Sequence, residues 1–131
     1  MMNKEFWEKY AREADSHYNK EFAKFIRDLT TSLRCTSVLE VGCNAGNDLK
    51  LFPETVEVHG IDSNEKIIEI AKNRVPFAKF HVGKVTELPY EDSSIDLIFT
   101  HGFFNYLEDE YVEKGIDEVF RVAKKYYLSR L

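Results

Sequence analysis

Apolar residues recur near the start of the chain at steps of three and four. Phe22, Phe25, Ile26, Leu29 and Leu33 fall on one stripe, the spacing of a helix with one buried face. The pattern predicts helix from Phe6 to about Leu33, divided near Asp15 and Ser16, either of which can cap the second half. The period then changes. Val38, Leu39 and Val41 form a short apolar run ending at Gly42, as in a strand buried on both faces. A short helix is expected from Asn47 to Phe52, stopped by Pro53. Val56 to Ile61 reads as a second strand ending at Asp62. Ser63 can cap a helix running through Arg74, with Ile67, Ile68, Ala71 and Val75 inward. Phe77 to Val82 is a third strand, Gly83 to Ser94 a polar loop, and Ile95 to Thr100 a fourth strand. A last helix runs from Glu108 to about Ala123, with Val112, Ile116, Val119 and Phe120 on one face. Lys125 to Ser129 is a fifth strand.

Strands alternating with helices predict an α/β fold, a Rossmann-like three-layer sandwich with a mostly parallel five-stranded sheet behind N-terminal helices. A length of 131 residues with 44% hydrophobic content fits a single domain with one core. Residues 1–35 are expected as helices and lid, and residues 36–131 as the α/β core. The formal charge is -5 and no long basic run appears, which argues against a nucleic-acid partner. No stretch approaches the roughly 20 apolar residues that span a bilayer. The charged N-terminus lacks the apolar core of a signal peptide, so a cytoplasmic location is expected. Cys35 and Cys43 have no metal-ligand partners at suitable spacing and read as reduced thiols, with no metal site expected.

Ligands of parallel sheets bind at the carboxyl ends of the strands, where the strand order reverses. That rule selects the turn after Val41, the strand tip at Asp62, and Thr100-His101. In Gly42-Cys-Asn-Ala-Gly46 the glycines permit a sharp turn and a close ligand approach, and a helix N-terminus behind them would offer free N–H groups. Alone, such a pair is also a plain tight turn. Asp62 lies 20 residues after Gly42, where a carboxylate can accept hydrogen bonds from ribose hydroxyls or cap a helix. The three positions of a dinucleotide G-x-G-x-x-G read Gly42, Asn44 and Asn47, so a pyrophosphate cofactor is disfavoured. A ligand with a ribose and no pyrophosphate fits better.

Val38-Leu-Glu-Val-Gly-Cys-Asn-Ala-Gly46 resembles the first motif of the class I S-adenosylmethionine-dependent methyltransferases. Gly60-Ile-Asp-Ser63 resembles their acidic second-strand motif, and Leu88-Pro-Tyr-Glu-Asp-Ser-Ser-Ile-Asp-Leu-Ile-Phe99 their loop and fourth strand. Phe99 to Leu107 and Val119 to Leu128 are similar, more narrowly, to methylases associated with pseudaminic acid biosynthesis. The resemblance implies S-adenosylmethionine as cofactor. It implies that Glu40, Gly42 and Gly46 shape the pocket for the methionine part, that Asp62 holds the ribose, and that Ser63, Lys84 and Val85 lie by the adenine. Trp7, Tyr10 and Tyr18 are expected as a lid over the cofactor, or as helix packing. Two positions depart from the family pattern. Asn44 replaces its middle glycine, either to reach the methionine part or to accommodate a left-handed turn. Lys84 replaces an acid and cannot accept a hydrogen bond from adenine, which leaves that task to backbone groups such as the N–H of Val85.

Methyl transfer from a sulfonium needs a general base only if the acceptor must lose a proton, and His101, just past the fourth strand, is the candidate. The acceptor is expected to be a small molecule, a sugar-related metabolite being one candidate. The second reading is a non-catalytic cofactor-binding or interaction module. The family's sixth and seventh strands are expected to be lacking, which truncates the fold after the fifth strand. That strand would then be an open sheet edge able to pair with a second copy.

Overall fold

The computed structural model describes residues 3–131. Helix α1 (Lys4–Arg12) is capped by Asn3, whose side chain accepts from the Phe6 N–H at 2.9 Å. A 3₁₀ turn at Ala14–His17 separates it from α2 (Lys20–Ser32). The break falls where the pattern puts it, but the cap of α2 is Asn19, bonded to the Phe22 N–H at 3.0 Å. Asp15 and Ser16 are otherwise engaged. Ser16 donates to the Glu13 carbonyl inside the turn, and Asp15 pairs with Arg74 and Lys50.

Five strands follow: β1 (Ser37–Val41), β2 (Glu57–Asp62), β3 (Lys79–Val82), β4 (Ile95–His101) and β5 (Ala123–Arg130). They form one sheet in the order β3-β2-β1-β4-β5, parallel at every pairing. Helix α3 (Glu65–Arg74) links β2 to β3, and α4 (Asp109–Val122) links β4 to β5. The cap of α3 is Asn64 rather than Ser63. The Asn64 side chain accepts from the N–H groups of Lys66 and Ile67, while Asp62 accepts the Asn64 N–H and fixes its entry angle. The helix expected from Asn47 to Phe52 is a single 3₁₀ turn, Asn47–Leu49.

The sheet faces are covered unequally. On one face α2 and α3 bury Phe22, Ile26 and Ile68 against Val38, Val58 and Phe99. On the other, α4 buries Val119 and Val122 against Leu39 and Ile98, and a 3₁₀ turn (Val85–Glu87) at the head of a loop brings Val85 and Leu88 onto Ile61. Arg121 of α4 fixes that loop, donating to the carbonyls of Leu88 at 2.9 Å and Tyr90 at 2.8 Å. Glu118 accepts the Leu88 N–H at 2.9 Å. Phe120 is the exception to the expected inner face of α4. It is 64% exposed, because Val119 and Val122 take the inward direction. Helix α1 stands apart from the sheet and packs Ala11 near Ala45 and Ile67, above the carboxyl ends of the strands.

Candidate active site

The strand order reverses between β1 and β4. At the carboxyl ends of these strands lies a cleft of about 850 Å³, within the range of small-molecule sites. Its floor is the turn after β1. Its walls come from the end of β2 with the start of α3, and from the end of β4, and α1 closes it above.

The floor is built by backbone. Gly42, Asn44 and Gly46 all adopt left-handed geometry, with φ of 75°, 50° and 83°. The N–H groups of Gly42 and Cys43 both donate to the Ile61 carbonyl, at 2.9 and 3.0 Å, which ties the turn to β2. A Cβ on Gly42 would collide with the Phe103 ring, so glycine is required there twice over. Asn44 tolerates its φ and accepts the Ala45 N–H at 2.8 Å, the turn-forming role open to asparagine. Gly46 shapes the turn from behind. It is buried, a Cβ there would lie 2.9 Å from Val75 Cγ2, and it does not line the cleft. Since only a 3₁₀ turn follows, the helix N-terminus expected behind the glycines is not formed.

Asp62 joins this floor to the wall. Its Oδ2 accepts the Asn44 N–H at 3.1 Å and its Oδ1 accepts the Asn64 N–H at 3.2 Å. Burial pushes its pKa up, against the pull of these backbone donors. Ser63 is exposed and lines the cleft beside it. Lys84 and Val85 do not line it. Lys84 points to solvent, and Val85 is buried against Gly115 of α4, so the loop after β3 is drawn toward the core instead.

Glu40 lies deepest. It is 2% exposed, and its Oε1 has no hydrogen-bond partner among the described residues. Burial first, and the neighbouring Asp48 carboxylate second, push its pKa well above the usual carboxylate range. Asp48 also accepts from His101, with Nδ1 to Oδ2 at 2.9 Å. That bond assigns the ring proton to Nδ1 and leaves Nε2 as the acceptor. Arg130 of β5 reaches Nε2 at 3.4 Å, and Phe22 packs on the imidazole with ring centroids 4.1 Å apart.

The roof is aromatic. Trp7 meets Tyr10 and Tyr106 edge to face, at 5.5 and 5.2 Å between ring centroids. Tyr18, expected with them, turns away and does not line the cleft. Its ring sits under Lys50, 5.2 Å from the ammonium. Glu8 tethers α1 from below, accepting from the Asn64 side chain at 3.0 Å and pairing with Lys66 at 3.7 Å.

Glu40, Gly42, Asn44, Asp62, Ser63 and His101 therefore converge on one cleft, while Gly46, Lys84 and Val85 lie off it. Sequence reasoning missed Asp48, Asn64 and Glu8. Asp48 gave little signal, since it stands between Asn47 and Leu49 with the charged Lys50 close behind. Glu8 and Asn64 gave none, because their partners are 56 residues apart in sequence.

The family described as a methyltransferase domain matches residues 38–126. The demethylmenaquinone methyltransferase of Thermotoga maritima is 29% identical over 109 residues, covering 80% of this chain and 46% of that protein. The YcgJ protein of Bacillus subtilis superposes with a TM-score of 0.64 at 28% identity, over 76% of this chain and 47% of that one. A protein of Pyrococcus horikoshii superposes with a TM-score of 0.79 at 21% identity, over 97% of this chain and 62% of that one. The chain spans less than half the length of these curated relatives, for example 42%, 23% and 46%.

Proposed function

The chain belongs to the class I S-adenosylmethionine-dependent methyltransferase family, and from that premise we propose that it binds S-adenosylmethionine in this cleft and methylates a small-molecule acceptor. The observation that carries the reading is the join between the glycine turn and Asp62, made by the bond from the Asn44 N–H to Oδ2. The cleft fits the cofactor at two points. Glu40 holds an unpartnered oxygen, and Asp62 has acceptor capacity left on both oxygens. Glu40, Gly42 and Asn44 would hold the methionine part, with Gly46 keeping the turn in shape. Asp62 would hold the ribose, with Ser63 beside the nucleoside.

When bound, the cofactor supplies a methyl group on a sulfonium that is already activated for displacement. The protein's work is then mainly alignment. Asp48 orients His101, and His101 serves as general base where the acceptor must lose a proton. Of the N-terminal helices expected ahead of the core of residues 36–131, α1 would serve as the lid, while α2 is packed into the core itself. The protein works in the cytoplasm, and no described helix is long and apolar enough to cross a membrane. The outer edge of β5, unpaired among the described residues, is where a second copy would dock.

One observation favours the second reading, a module that binds cofactor without transferring methyl groups. Arg130 stands against Nε2, the nitrogen a base must offer. Calorimetry with S-adenosylmethionine and S-adenosylhomocysteine tests binding, and methyl transfer to a metabolite panel tests catalysis. Folded protein that binds neither ligand at about millimolar concentration overturns the proposal. Binding without transfer to any acceptor selects the second reading.

A further inference from the structure

The roof of the cleft carries more apolar surface than a closed helix contact needs. Phe6 completes the aromatic group, 5.1 Å from Trp7 and 6.1 Å from Tyr10 between ring centroids. Phe6, Tyr10 and Tyr106 stay 42%, 37% and 41% exposed although they adjoin one another inside a cavity. Clustered exposure of this kind marks a binding surface, whereas single exposed aromatics do not.

The charged side chains around that surface are mostly acidic. Glu40, Asp48, Asp62 and Glu65 line the cleft, and Lys4 is the one lysine or arginine that does so among the described residues. Burial, with Tyr106 and Asp48 nearby, raises the pKa of Tyr10, so its phenol stays uncharged. The cofactor would engage Glu40 and Asp62, which leaves Asp48 and Glu65. Cations do sit over aromatic rings elsewhere, Lys50 over Tyr18 and Arg130 over Phe22. Neither of those rings belongs to the roof.

We infer that the methyl acceptor is an amine, held as its ammonium against Trp7, Tyr10 and Tyr106. The inference rests on the methyltransferase reading above. Aromatic faces attract a cationic nitrogen, and the nearby carboxylates of Glu65 and of Asp48, which also holds His101, strengthen the attraction. The same carboxylates repel phosphorylated or carboxylated acceptors, and they give no advantage to an uncharged sugar. The ammonium releases a proton to His101 before transfer. The nitrogen lone pair then bonds to the methyl carbon as the carbon–sulfur bond breaks, and that bond's electron pair stays on sulfur as a neutral thioether. The product is again an ammonium, one methyl larger.

Trp7 is the single tryptophan of the chain, so its emission reports directly from the roof. Binding of S-adenosylhomocysteine to the full chain is measured first by calorimetry. Choline and its uncharged carbon isostere, dimethylbutanol, are then titrated into the saturated complex while Trp7 fluorescence is followed. Choline should bind about tenfold more tightly than the isostere. Tyr106→Leu, titrated in the same way once saturated with S-adenosylhomocysteine, should remove that preference. Equal affinity for the two probes, no response to either, or a preference that survives Tyr106→Leu overturns the amine assignment and leaves the cofactor reading standing. Failure to bind S-adenosylhomocysteine overturns both.

Discussion

The two halves of the cleft are made of different material. Around β1 and β2 the contacts are backbone: three left-handed residues, two N–H groups on one carbonyl, and an aspartate held by two more N–H groups. Around β4 and α1 the surface is side chain, chiefly aromatic rings and an imidazole clamped between Asp48 and Arg130. Backbone geometry is set by φ and by steric limits, and it tolerates few substitutions. Side chains can be exchanged without moving the chain. Such a division lets the cofactor half stay fixed while the acceptor half varies, and it says which substitutions should be costly.

The largest effect is expected at Gly42. Alanine there would hold a φ of 75° and push its Cβ into Phe103. The left-handed conformation costs about 1–2 kcal/mol and the collision about 1–3 kcal/mol. Thermal denaturation of Gly42→Ala should show a midpoint lowered by about 10 °C, with cofactor binding lost. A midpoint near that of the parent would mean that the turn is softer than its geometry indicates. Asp62→Ala comes next. Calorimetry should show cofactor affinity weakened by at least about 1 kcal/mol, the scale of a hydrogen bond to a charged group. An unchanged affinity removes Asp62 from the ribose role.

This contrast also explains what could be read from the sequence. The floor of the cleft was legible because Gly42 and Asp62 end two apolar strand runs. The central strands β1, β2 and β4 were legible as those apolar runs, whereas β3 and β5, mostly exposed, were placed by their position in the alternating order. Helix starts were displaced by a few residues. At Asn19 and Asn64, a side chain that was free to bond backbone N–H groups beat the nearer serine. Lys84 and Val85 went astray because Glu118 and Arg121 pull their loop toward α4, and that pull comes from 30 and more residues away. The acceptor half was the least legible. Trp7, Asp48 and Tyr106 come together only through the fold.

Glu40 offers a sharper test of the boundary between the halves. Its pKa is raised on folding, so its contribution to stability is fully present below the unfolded value of about 4.3 and is lost as pH rises through the folded value. The buried carboxyl thus carries a cost at neutral pH that glutamine does not. Glu40→Gln should gain in stability over the parent as pH rises through the folded value, and be flatter in its dependence on pH. The same variant should bind cofactor more weakly, because the amide offers no charge to the methionine ammonium. Denaturant titrations across pH, paired with calorimetry, check both signs. A variant that is less stable at neutral pH would show that Glu40 supports the fold rather than the ligand.

The smallest expected effect lies at the joint between the halves. Glu8 of α1 accepts from Asn64, and Asn64 donates its N–H to Asp62, so the roof hangs from the residue assigned to the ribose. Glu8→Ala removes that link and the pair with Lys66. The sheet is untouched, and Ala11 still packs with Ile67. Thermal stability should therefore change little, while the emission of Trp7, four residues from Ala11 on the same helix, shifts to the red as the roof loosens toward solvent. Saturation with S-adenosylhomocysteine should restore part of the parent emission, and the cofactor should bind more weakly by a smaller margin than for Asp62→Ala. If emission stays at the parent position with and without ligand, α1 is held by its alanine contacts alone. The two halves would then be mechanically independent, and the chain from Glu8 through Asn64 to Asp62 would serve only to set the start of α3.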